Sequence, residues 1–184
     1  MSYKIEFDLF HSCEAVGDCD TLDVPFLSKK NNQWLSQGYY FWTDSPFYAK
    51  KWRRGKRYVY QFKYVVEKQY VLDLVGSVSD QLIFIEDYIE TFKILTTQVV
   101  GLKKYQHQDI PIGVIIETLR RFEEFPYHAI KAYDITRVNA IQFPYVEGKR
   151  EKTFIPTRQQ MVIFKDFLDD DLKQSKQFLC EVEV

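Results

Sequence analysis

A chain of 184 residues suits one domain, and 46% hydrophobic residues with only 7 Gly and 6 Pro exclude a disordered or low-complexity protein. The formal net charge of −1 selects neither a nucleic acid nor a membrane as partner, so any such contact needs a local patch. Aromatic residues make up 17%, with 13 Tyr and 15 Phe, so many rings must sit in clefts or on half-buried sheet faces.

The cysteines are Cys13, Cys19 and Cys180. Their odd number and lack of metal-ligand spacing predict reduced thiols, no metal site and a cytoplasmic setting. His11 with Cys13 and Cys19 is too sparse a set to hold zinc. The opening "MSYKIEFDLFHS" has no basic segment followed by an apolar run, so no signal peptide is expected. No stretch approaches the ~20 apolar residues of a membrane span, and no membrane partner is expected.

In chain order, "YKIEFDLFH" (3–11) alternates as a strand does, and "CEAVGDCDTLDVPFLSKKNNQ" reads as loop. "GYYFW" (38–42) is a second strand. Ser45 then reads as a helix cap, with Pro46 at the first helical position and the helix running from Phe47 to about Arg53. "RYVYQFKYVV" (57–66) and "QYVLDL" (69–74) predict two more strands. From Ser77 a helix is expected, with Leu82, Ile85, Tyr88, Ile89, Phe92 and Leu95 on one face and a Ser77/Asp80 capping box. "IPIGVIIETLRRFEEF" (110–125) predicts another helix, with Arg120, Arg121, Glu123 and Glu124 on its wet side. "HAIKAYD" and "VNAIQF" follow as short strands, and "FPYVEGKREKTFIPTR" (143–158) as a polar loop. "QQMVIFK" (159–165) is a buried strand, "DFLDDDLKQSKQF" a short helix whose acidic start suits the dipole, and "LCEVEV" an edge strand. With no repeat and no compositional break, the expectation is a single α+β domain over 1–184, strands first and last and helices in the middle.

Three pieces stand out together: "LFHSC" with His11 at a strand end, "GYYFWTDSPFYAKKW" (38–52), and "RQQMVIFKD" near the C-terminus. In that order they resemble the ADP-ribosyltransferase superfamily, in the branch with a His-Tyr-Glu signature. There a strand ends in His-Gly-Ser or His-Gly-Thr, a Gly-aliphatic-Tyr-Phe strand leads into a helix, and a late strand carries Glu before an apolar run. "FPYVEGK" with "IPTRQQMVIFKD" also resembles small bacterial members in which Gln occupies that late strand. The middle, about 74–127, matches nothing named.

The resemblance implies a split antiparallel sheet core and NAD as the bound dinucleotide. It implies that His11 meets a ribose hydroxyl, that the backbone at Ser12 meets the nicotinamide carboxamide, and that Tyr40 stacks on the nicotinamide ring. Ser45 and Tyr48, at the following helix start, join the binding set. Gln160 takes the place of the family Glu, and Ser12 the place of the family Gly. Glutamine keeps a hydrogen bond to the ribose but carries no charge and is no base. Glu151, or Glu147, in the preceding segment is the acid that could compensate, so Gln160, Tyr40 and Glu151 form the implied catalytic set. The implied reaction cleaves the N-glycosidic bond of NAD+ and passes ADP-ribose to a protein or nucleic acid. The implied role is a bacterial toxin or anti-phage effector, with a neutralising antitoxin protein as a further partner. An inactive NAD- or ADP-ribose-binding or interaction module of the same fold is the alternative, and an RNA-directed phosphotransferase a weaker third.

The residues themselves support parts of this. Period-2 alternation puts Tyr40 and Trp42 on one sheet face and Tyr39 and Phe41 on the other. "KKWRRGKR" packs six basic residues into 50–57. They read either as a solvated helix end and turn or as contacts to phosphate, with Trp52 and Tyr58 placed to stack on bases. His107 and His128 have no triad-like setting, and no phosphate-binding glycine loop or nucleophile elbow occurs.

Overall fold

Alternating Ile5, Phe7 and Leu9 start strand β1 (Lys4–Glu14), which from Leu9 to Cys13 is buried on both faces. The computed structural model describes residues 3–30, 33–106, 109–134, 140–146, 149–154 and 157–184. After β1 come β2 (Leu27–Ser28), β3 (Gly38–Thr43), the one-turn helix α1 (Phe47–Lys50) and β4 (Lys56–Glu67). Next are β5 (Val71–Asp73) and the helices α2 (Val78–Ile83), α3 (Ile89–Gln98) and α4 (Ile112–Arg121). The chain continues with β6 (Ala129–Tyr133), β7 (Ala140–Val146), β8 (Lys149–Phe154), β9 (Gln159–Ile163), α5 (Asp170–Gln174) and β10 (Gln177–Glu183).

The fold is α+β, with a mixed, mostly antiparallel eight-stranded sheet and helices in mid-chain. The strand order is β10-β4-β1-β3-β9-β6-β5, with β2 also on β3, and only β5–β6 is parallel. One face buries Leu9, Phe41, Phe62, Tyr64 and Met161. The other packs Leu72, Ile130, Val162 and Phe164 against Phe84, Phe92, Ile116 and Leu119 of the helices. Among the described residues no helix is long and apolar enough to cross a membrane.

Several sequence expectations change. α1 is a single turn ending at Lys50, short of Arg53. Residues 68–70 form a 3-10 turn, leaving only Val71–Asp73 as β5. The expected long helix is broken by a π-helical stretch at Phe84–Tyr88. Phe84 and Phe92 are buried while Leu82 and Ile85 are exposed, so the expected single apolar face does not hold across the stretch. The Ser77 hydroxyl caps α2 by accepting the Asp80 N–H at 3.2 Å. The Asp80 carboxylate instead accepts from Asp73 N–H at 2.8 Å and Lys68 Nζ at 2.9 Å, so only half of the box forms. α4 covers Ile112–Arg121 alone, and Arg120 is not on the wet side but lies 4.0 Å above the Phe164 ring. The polar segment 143–158 is not loop throughout, because β7 and β8 pair antiparallel from Ala140↔Phe154 to Val146↔Lys149. β7 carries the strand expected at 138–143 on to Val146, whereas β8 is the charge-rich KREKTF, whose backbone pairs with β7 without any apolar alternation to announce it. His107 and Glu147 lie outside the described residues.

Candidate functional site

β1 and β3 pair only at Leu9↔Thr43 and Phe10↔Trp42. Beyond that point they diverge. β1 continues along β4 through His11↔Tyr60 and Ser12↔Val59, while β3 runs along β9 through Trp42↔Gln160 and Tyr40↔Val162. The sheet therefore forks, and β2 rejoins β3 lower down at Leu27↔Tyr39 and Ser28↔Gly38.

His11 sits in the fork. Its Nδ1 is 3.0 Å from the Tyr40 carbonyl oxygen, and Phe26 N–H donates to Nε2 at 3.4 Å. These two partners require the neutral ring with its proton on Nδ1. Burial pushes the imidazole down to about 4, against the bond to the Tyr40 carbonyl and with help from the positive charge of Arg57. His11 is thus a neutral strut across the split, with edge contacts to Phe26 and Phe41 at 6.1 and 5.9 Å.

A cleft of 510 Å³ opens at the fork, within the roughly 300–1,000 Å³ of small-molecule sites. Four of the sequence-predicted residues line it: His11, Ser12, Tyr40 and Gln160. Ser45 and Tyr48 do not. The Ser45 hydroxyl accepts the Phe47 N–H at 3.3 Å, at the start of α1, and the Tyr48 ring packs 5.5 Å from Trp42. Glu151 is described only as a backbone position in β8, paired with Phe143.

Gln33 and Trp34 of the 33–37 loop line the cleft. Tyr40 Oη donates to the Ser36 carbonyl at 2.7 Å and accepts from Leu35 N–H at 3.0 Å, and burial raises the phenol well above its ordinary range. Tyr40 therefore stays protonated and holds the loop. The Ser36 hydroxyl donates to the Glu117 carboxylate of α4, and Ser36 itself has φ +82°. Trp34, carried by this loop, donates its indole N–H to Gln160 Oε1 at 3.0 Å. The Gln160 amide is consequently left with its N–H₂ donors for a ligand.

Gly113 sets how closely α4 approaches the loop. A Cβ there would lie 2.3 Å from the Gln33 carbonyl oxygen and 3.0 Å from both Ser36 N and Trp34 O. Gly113→Ala gains about 1 kcal/mol of helix propensity but forces backbone apart, at a cost of about 1–3 kcal/mol. The expected net result is a lower urea midpoint together with altered Trp34 fluorescence. Gly101→Ala, where nothing lies within 4 Å, serves as the control. An unchanged midpoint and spectrum would show that α4 does not fix the loop.

The β1–β4 wall is polar and incompletely satisfied. Ser12 Oγ and Arg57 Nε are buried without a hydrogen-bond partner, and both residues line the cleft with Arg53 and Trp52. The basic run therefore does not stay wholly in solvent: Arg53 and Arg57 turn into the cleft. Cys13 also lines it, but burial pushes its thiol up to about 11, which leaves it unreactive near neutral pH.

Sequence reasoning missed Trp34, Asp134 and Arg158. Asp134 lines the cleft, and its Oδ2 accepts from Arg158 Nη2 at 2.6 Å. The Arg158 guanidinium lies 5.2 Å from the Trp42 ring and 5.3 Å from the Tyr48 ring. A buried arginine amid aromatic residues is a usable sequence signal only once its strand neighbours are known. No family model matches the chain, and comparison with curated proteins and with solved structures gave no match.

Proposed function

We propose that this chain is an NAD+-dependent ADP-ribosyltransferase-like protein with its dinucleotide in the cleft at the sheet fork. One observation carries the proposal: His11–Ser12, Tyr40 and Gln160, far apart in sequence, line that single cleft. A forked, mostly antiparallel sheet is also what the superfamily resemblance implies for the core. The unpartnered Ser12 Oγ and Arg57 Nε are both donors, and buried donors left unpaired are costly. Anionic or carbonyl oxygens of a dinucleotide would satisfy them. The 3.4 Å bond from Phe26 to His11 Nε2 is the long one of the pair, so Nε2 is the acceptor a ribose hydroxyl would engage.

In this reading the protein positions the glycosidic bond and stabilises developing charge. Gln160 N–H₂ holds a ribose hydroxyl oxygen, and Tyr40 with Trp34 bounds the nicotinamide pocket. The acceptor is a protein side chain or nucleic acid, and the biological role is that of a toxin or anti-phage effector with an antitoxin partner. A second reading, binding of NAD+ or ADP-ribose without turnover, is favoured by one observation: Gln160 is uncharged and its carbonyl is taken by Trp34.

Calorimetry with NAD+ and a nicotinamide-release assay test the proposal. The parent protein is expected to bind and to release nicotinamide. Arg57→Ala is expected to weaken binding at least ten-fold, since a hydrogen bond from a charged donor contributes about 1.5–3 kcal/mol. Binding without release selects the second reading. No binding by the parent removes both.

A further inference from the structure

Lys50, Lys51, Arg53, Arg54, Lys56 and Arg57 fall within the short run that joins α1 to β4, in a chain whose formal net charge is −1. Neighbouring carboxylates answer part of this charge. Lys56 engages Glu181 at 3.8 Å, and Glu183 and Glu14 lie opposite Lys56 and Arg57 in strand register. Asp44, just before α1, pairs instead with Lys131 at 3.6 Å. Lys50, Lys51, Arg53 and Arg54 are exposed and form no ion pair with a described residue. Arg53 stands at φ +63°, a backbone conformation usual for Gly or Asn, and it lines the cleft.

Aromatic rings run through the same rim in an unbroken series. Trp52 meets Trp42 at 5.4 Å, Trp42 meets Tyr48 at 5.5 Å, and Tyr48 meets Phe47 at 5.0 Å. Trp42 and Trp52 line the cleft, and at the other end of the series Phe47 is 41% exposed. The unpaired cations lie over the outer rings: Lys51 Nζ is 4.0 Å from the centre of Phe47, and the Arg53 guanidinium 5.7 Å from Trp52. Tyr58 takes no part, because its hydroxyl donates to the Gly17 carbonyl at 3.0 Å and its ring packs on Phe178.

We propose that this rim, from Phe47 to Arg54, is a binding surface for single-stranded nucleic acid, leading past Trp52 into the cleft. The cations meet the phosphates, and the flat base faces stack on the rings between them. An acidic peptide offers the charge without the flat faces, and a duplex keeps its base faces stacked inside. Within the NAD+ reading above, the surface makes the macromolecular partner a nucleic acid rather than a protein; the binding itself does not depend on that reading.

The test uses the full chain without NAD+ and labelled strands of about 12 nucleotides, oligo-dT and oligo-U, read by fluorescence anisotropy. A duplex and a polyglutamate of matching length run beside them. Four phosphates neutralised on a single strand predict an affinity that falls about 50-fold between about 50 and about 200 mM salt. The variant K50Q/K51Q/R54Q changes exposed residues that do not line the cleft. It is expected to keep the parent's urea midpoint and NAD+ affinity, to bind the strand at least about ten-fold more weakly at the lower salt, and to lose only about three-fold across the same range. Phe47→Ala is expected to weaken binding about five-fold or more with the salt dependence unchanged, as loss of a stacking face predicts. Tighter binding of either strand than of duplex and polyglutamate supports the proposal, and the stronger of the two strands assigns the sugar. Equal affinity for polyglutamate overturns it, leaving a surface for any polyanion. Equal or tighter binding of duplex, parental affinity in the triple variant, or no binding of either strand at the lower salt also overturns it. None of these results touches the NAD+ reading, which calorimetry with NAD+ decides separately.

Discussion

Lowering the pH from 6.5 to 4 is expected to remove about 3 kcal/mol of folding stability through His11 alone. The imidazole has an ordinary value of 6.5 and is held at about 4 in the folded protein, chiefly by burial. Between those values the unfolded chain binds a proton that the folded one refuses. The stabilisation is therefore complete above 6.5, falls as the pH drops, and levels off below 4. The geometry gives the same sign, because protonated Nε2 could no longer accept the Phe26 N–H. His128 is also lowered by desolvation, so it adds to the slope in the same direction. His11→Gln keeps an amide to bridge Tyr40 and Phe26 but does not titrate. It should be less stable than the parent at pH 7.5 and show a distinctly flatter decline toward pH 4, read by urea unfolding across the range. An acid slope of parental size in His11→Gln would mean that the buried imidazole is not its source.

Arg158→Ala is expected to cost about 3–5 kcal/mol, the usual penalty for removing one member of a buried ion pair. The side chains of Arg158 and Asp134 are 9% and 7% exposed, so neither charge can turn to solvent without opening the structure. The substitution deprives Asp134 of its guanidinium and removes a cation from the Trp42 and Tyr48 faces. It also loosens the junction between the end of β6 and the start of β9, since these residues already share a backbone bond at 2.9 Å. D134N/R158Q should recover a substantial part of the loss, because what destabilises is the unbalanced charge rather than absence of the pair. Chemical denaturation of the three proteins side by side decides it. A cost below 1 kcal/mol for Arg158→Ala would show that solvent reaches the pair.

Much of the sheet was legible in the chain. The alternating runs of β1 and β4 each record a strand with a buried face, which writes itself into period-2 patterning, and the aromatic and apolar runs of β3 and β9 record strands buried on both faces. The terminal edge strand β10 and the acid-capped start of α5, where Asp169 accepts the Leu172 N–H at 2.7 Å, were legible for equally local reasons. The residues His11, Tyr40 and Gln160 could be singled out as types in an order.

What only the tertiary structure decided is how those residues are used. The π-helical stretch at Phe84–Tyr88 depends on which rings find room under the sheet, so it shifts the buried face without a local signature. The strand expected at 138–143 is the first half of β7, but its partner β8 is the charge-rich KREKTF, which carries no apolar period and becomes a strand only by pairing with β7. The fork after Phe10↔Trp42 arises because β1 and β3 each keep a different partner, β4 and β9. Trp34 meets Gln160 across 126 positions, and Asp134 meets Arg158 across 24. Alternation and capping are set by a residue's nearest neighbours, and the sequence carries them. Which buried donor meets which acceptor is set by long-range strand pairing, and that exists only once the chain has closed on itself.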